Sequence, residues 1–157
     1  MRLILFMGSK APPFVKKATV YMCMFDACFD KDKKCVAKNC KNIVSNINPE
    51  IGKSRPVIIV HRHRRNKLAI VVPFTTKKPN QELEKTLLIP PETMPGVLGK
   101  KECWALCDMI QTVSIDRLEN IYSGKNNTYY RHIKPNDSRL PNDYFIEIRK
   151  ILCSMFS

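Results

Sequence analysis

Two β-branched apolar runs flank a short basic stretch in PEIGKSRPVIIVHRHRRNKLAIVVPFTTK, the segment from Pro49 to Lys77. This pattern predicts an antiparallel hairpin of strands Val57–His61 and Leu68–Val72, joined by a turn centred near Arg64 and Arg65. Pro56 before the first run and Pro73 after the second bound them, because proline offers no N–H to a ladder. Residues equidistant from the turn of such a pair lie opposite one another. Arg55 and Thr75 are almost symmetric about it, so they should meet at the open end, beside the loop that contains Gly52. A guanidinium beside a hydroxyl at a strand end is an arrangement suited to phosphate.

The rest of the chain continues the β pattern. Ala18–Phe25 is strand-like, Asp26–Asn48 is a long Lys-rich loop, and Thr86–Ile89 is a short strand stopped by Pro90 and Pro91. Cys103–Val113 reads as one further apolar strand. Ser114–Ile121 starts a short helix with Ser114 as its N-cap. Pro141–Phe156 closes the chain as an amphipathic helix capped by Asn142, with Phe145, Ile148, Ile151, Leu152 and Met155 on one face. The expected fold is mainly β with helices: a small barrel or compact antiparallel sheet with a C-terminal α-helix. Residues 1–17 form a lead-in and residues 18–157 a single domain.

Charge narrows the partner. The chain has 27 Lys and Arg against 14 Asp and Glu, a net +13, which favours nucleic acid, an acidic protein or an anionic membrane surface. No segment reaches the roughly 20 apolar residues that span a bilayer. Met1–Met7 is too short for the core of an export signal. Seven cysteines, an odd number, point to reduced thiols and a cytoplasmic location.

Several constellations have competing readings. Arg55 and Thr75 could handle a phosphate, or Arg55 could pair with Glu50 while the threonines merely end a strand. His61 and His63 lie in the basic turn, at the far end of the hairpin from Arg55, and read as part of a solvated, RNA-attracting loop rather than an acid–base pair. His132 has no partner that the sequence identifies. Cys23, Cys28, Cys35 and Cys40 lack the short gaps of a tight zinc site, and Cys103 and Cys107 share a core face, so no metal or other cofactor is expected. Asp108 and Gln111 interrupt an apolar run, either as a solvent-facing pair or as ligands for a base edge or a 2′-hydroxyl.

Three blocks in order, EIGKSRPVIIV (Glu50–Val60), IVVPFTTK (Ile70–Lys77) and WALCDMIQTVSIDRL (Trp104–Leu118), resemble the MazF/PemK family of toxins from bacterial toxin–antitoxin systems. A weaker echo lies in Thr19–Asp26. The resemblance implies an SH3-like β-barrel with a C-terminal helix, acting as a homodimer. It also implies a metal-independent, sequence-specific endoribonuclease that cleaves single-stranded RNA by 2′-hydroxyl attack, leaving a 2′,3′-cyclic phosphate and a 5′-hydroxyl. On it, Arg55 would stabilise the phosphorane and assist proton removal, and Thr75 would help protonate the leaving oxygen. Glu50, Gly52, Phe74, Thr76, Lys77, Asp108 and Gln111 would line the RNA groove, with Phe74 a candidate for stacking on bases. The implied partner is an acidic antitoxin that folds over this groove and with which the toxin binds DNA.

The chain departs from the pattern in a longer, more basic loop before Glu50 and in Met109, where a Gln is common. One branch of the family places Arg two residues before the acidic residue of the third block; Leu106 stands there, which favours the Arg55–Thr75 version. Two other readings stay open: a CcdB-like toxin that binds a protein target such as gyrase, and an RNA-binding barrel without catalysis.

Overall fold

The computed structural model describes residues 15–25, 54–79, 85–121 and 134–157. Seven strands form a mostly antiparallel sheet that does not close: β1 (Val20–Cys23), β2 (Arg55–Arg62), β3 (Leu68–Thr75), β4 (Thr86–Ile89), β5 (Cys103–Leu106), β6 (Gln111–Ser114) and β7 (Leu118–Glu119). One α-helix, α1 (Asn142–Met155), ends the chain. The sheet order is β4-β5-β3-β2-β1-β7, and β6 also pairs with β3.

β3 is the strand that both halves of the sheet share. On one edge it pairs with β2. Its other edge pairs with β6 over Leu68–Val71 and with β5 over Phe74–Thr75. Sequence alone read Cys103–Val113 as one strand, but the chain turns a corner at a 3-10 turn over Cys107–Met109. That corner lets successive segments of one apolar run serve the two ends of β3. Proline placement also differs from expectation. Both strands run through their prolines: Pro56 faces Met22 and Pro73 faces Val57. Pro73 sits where the second edge of β3 passes from β6 to β5, a place where a residue without N–H loses least.

The hairpin turn lies beyond Arg62, as expected, and a register shift between Ile59 and His61 marks a bulge. Ser114 accepts a hydrogen bond from the Asp116 N–H at 3.3 Å, but the segment it caps is a single 3-10 turn, Ile115–Arg117, followed by β7. Pro141, not Asn142, occupies the N-cap of α1, with no side-chain cap.

Strand alternation divides the core into two faces. Ile58, Val72, Phe74, Ile89 and Ala105 pack with Phe145, Ile148 and Leu152 of α1. Val57, Ile59 and Val71 pack with Tyr21, Cys23, Val113 and Leu118 on the other face. No helix among the described residues is long and apolar enough to cross a membrane.

Candidate functional site

The register of the hairpin places the candidate residues relative to one another. Val57 faces Pro73 in the outermost pair of the β2–β3 ladder, and the same register carried two residues further would set Arg55 across from Thr75, at the ends of β2 and β3. Cross-strand neighbours of this kind bring Cβ atoms within about 4.5–5.5 Å. Arg55 also faces Cys23, Thr75 faces Trp104, and Trp104 faces Leu88. Directly opposed residues share a face. Two sets, Cys23–Arg55 on β1 and β2 and Thr75–Trp104–Leu88 on β3, β5 and β4, therefore lie on the face away from α1, since Arg55 and Thr75 have the parity of Val57 and Val71, and the extended register aligns them as one row.

Two details matter chemically. The Arg55 side chain is half-buried, and its Nε is buried with no hydrogen-bond partner among the described residues. A desolvated donor without a partner is costly, and a ligand that satisfies it recovers that cost. The Thr75 Oγ1 accepts a hydrogen bond from the Lys77 N–H at 3.2 Å. This bond anchors the hydroxyl and leaves its own proton free to be donated outward. Thr76 and Lys77 follow on the exposed exit of β3.

Other expected site residues are placed differently. Phe74 is fully buried in the cluster against α1 and offers no ring face to a base; it is a core residue, because alternation turns it away from Thr75. Asp108 is exposed on the corner, in the 3-10 turn after β5, outside the row. Gln111 faces Val71, on the same face as Thr75 but four residues along β3, roughly 13 Å at strand rise. Glu50, Gly52, Cys28, Cys35, Cys40, His132 and the whole loop 26–48 lie outside the described residues. His61 and His63 make an edge-on ring contact at 5.4 Å in the basic turn, at the opposite end of the hairpin. Trp104, which sequence reading passed over, is the residue opposite Thr75.

Buried thiols flank the row without the character of nucleophiles. Burial pushes Cys23 and Cys107 up to about 12 and also raises Cys103; nearby Arg117 opposes the rise at Cys23, and Asp108 adds to it at Cys107. Burial also pushes Tyr21 up to about 12. Such thiols stay protonated at neutral pH. Among the described residues, no group of three or more His, Cys, Asp or Glu could hold a metal ion. The sign of the linkage follows. In the unfolded chain these groups ionise from about 9.0 for Cys and 10.0 for Tyr, whereas the folded chain keeps them neutral. Stability is therefore full below pH 9 and falls between pH 9 and 12. Denaturant midpoints measured across that window should decline; a flat profile would show that these groups titrate alike in both states.

Residues 40–156 match a family described as PemK-like, MazF-like toxin of type II toxin–antitoxin system. Among solved structures, the chain is similar to the Mycobacterium tuberculosis toxin MazF-mt6, with 18% identity and a TM-score of 0.46, over 68% of this chain and 90% of that one. No curated protein matches the chain.

Proposed function

The chain belongs to the PemK-like, MazF-like toxin family of type II toxin–antitoxin systems, and from that premise we propose that it is an endoribonuclease acting on single-stranded RNA without a metal ion. The observation that carries this reading is that Arg55 and Thr75 end the paired strands β2 and β3 on one face, with the Arg55 Nε unpartnered among the described residues. The RNA 2′-oxygen attacks the adjacent phosphorus, its proton passing to water. The bond from phosphorus to the 5′-oxygen then breaks, giving a 2′,3′-cyclic phosphate and a 5′-hydroxyl. Arg55 holds the non-bridging oxygens as negative charge builds in the phosphorane. Thr75 donates its free proton in a hydrogen bond to the departing 5′-oxygen, whose final proton comes from solvent.

Lys77 and the basic turn supply attraction to the strand, consistent with the net +13. The same charge suits an acidic antitoxin segment as inhibitor, and a homodimer is the expected assembly.

The test is end-labelled single-stranded RNA incubated with purified protein in EDTA. Discrete fragments ending in cyclic phosphate support the reading; RNA that is retarded but intact would leave a binding barrel. Thr75→Ala should slow cleavage about a hundredfold and Thr75→Ser should restore most of it, because only the hydroxyl is needed. Equal loss in both variants would remove the hydroxyl from the chemistry.

A further inference from the structure

Beside Thr75 the row enters an open groove of about 460 Å³, lined by Lys78, Thr86, Leu88, Glu102 and Trp104. Its volume lies within the roughly 300–1,000 Å³ typical of small-ligand sites. Trp104, which lines it, is 7% exposed, while Leu88 is 47% exposed on β4, whose other edge is unpaired among the described strands. A large aliphatic side chain left in solvent beside an indole is an apolar face that a flat ligand can cover. Lys78 and Glu102 are exposed and, among the described residues, neither is engaged in an ion pair.

We propose that this groove is a nucleobase subsite that reads guanine in the RNA strand passing Arg55 and Thr75. Position supports the ligand class. Trp104 and Leu88 continue the same cross-strand row, one and two strands beyond Thr75, about 5 and 10 Å at the interstrand spacing. A base next to the scissile phosphate reaches that far. The pair of charges selects the base. A carboxylate accepts two N–H bonds side by side, and an ammonium binds a carbonyl oxygen. Guanine alone among the RNA bases carries two adjacent donors, N1–H and the N2 amine, beside the O6 acceptor on one edge. Glu102 takes the donors, Lys78 takes O6, and the ring lies over Leu88 and the edge of Trp104. The identity of the strand as RNA rests on the nuclease reading above; the groove itself can be tested without cleavage.

Trp104 is the single tryptophan of the chain, so its fluorescence reports occupancy of the groove directly. The probes are short 2′-deoxy oligonucleotides, which lack the attacking hydroxyl, identical except for guanine, inosine, adenine or cytosine at one position. The guanine oligonucleotide should shift Trp104 emission and bind about tenfold more tightly than its inosine counterpart, which lacks the N2 amine. Glu102→Gln, an exposed change that leaves packing intact, should erase that difference. Equal affinity for all four bases overturns the proposal, as does a guanine preference untouched by Glu102→Gln. A response to an acidic peptide with none to the oligonucleotides also overturns it, in favour of a protein occupant. Cleavage of RNA with a silent Trp104 defeats the subsite and spares the nuclease, whereas a guanine-dependent signal without cleavage does the reverse.

Discussion

If the proposed mechanism holds, replacing Arg55 with alanine should lower RNA cleavage about a thousandfold while leaving the protein folded. The size follows from the role. A donor aimed at charge that develops only in the transition state is worth roughly 10²–10³ in rate, and an arginine on a transferring phosphoryl group up to 10⁵. The fold should not suffer, because the Arg55 Nε has no hydrogen-bond partner to lose among the described residues and its burial is a cost that alanine removes. The melting temperature of the variant therefore stays level or rises, the usual signature of a functional residue held at the expense of stability. Arg55→Lys recovers little, since an ammonium cannot reproduce the two-pronged geometry of the guanidinium. Single-turnover cleavage and thermal denaturation on the same preparations decide the matter. A marked drop in melting temperature with cleavage intact would make Arg55 a structural residue and end the proposed mechanism.

Phe74→Ala has the largest effect on stability, a loss of about 3–5 kcal/mol. Phe74 has no exposed surface and lies in the cluster that joins β3, β4 and β5 to Phe145, Ile148 and Leu152 of α1. Truncation leaves a cavity at the contact between sheet and helix, and for a chain of this size such a loss is a large share of total stability. Phe74→Leu fills most of the space, so it should fold and cleave RNA nearly as the parent does. Chemical denaturation measures the first variant and the cleavage assay the second. A well-folded Phe74→Leu protein that no longer cleaves RNA would return Phe74 to the substrate groove.

The hairpin was legible because two β-branched runs around a basic turn leave the chain few alternatives, and symmetry about that turn anticipated the ladder that pairs Val57 with Pro73. The same reasoning, carried one step further, places Phe74 correctly. Neighbours in a strand face opposite ways, so a site that uses Thr75 sends Phe74 into the core. The corner at Cys107–Met109 was hidden because CWALCDMIQTV contains neither Gly nor Pro, and Asp108 is the sole charge to mark it. Pro56 and Pro73 misled in the opposite direction: they look like stops, but a strand can pass through a proline where its missing donor faces a gap in the ladder. Trp104 and its groove could not be read at all. They depend on β4 pairing with β5 and β5 with the tip of β3, contacts between segments with no local signal for one another.

If the row acts as proposed, it is also a safeguard of timing. Arg55 and Thr75 stand at the ends of β2 and β3, but the face they share is completed by β1 before them and by β4 and β5 after them. A slip of one residue in any strand turns its contribution to the opposite side. A chain still being synthesised, or one being pulled apart by a protease, thus holds the same amino acids without the assembled surface. Harm would be confined to finished molecules, and the interval between translation and completion of the sheet would be a grace period in which a cell can supply the neutralising partner.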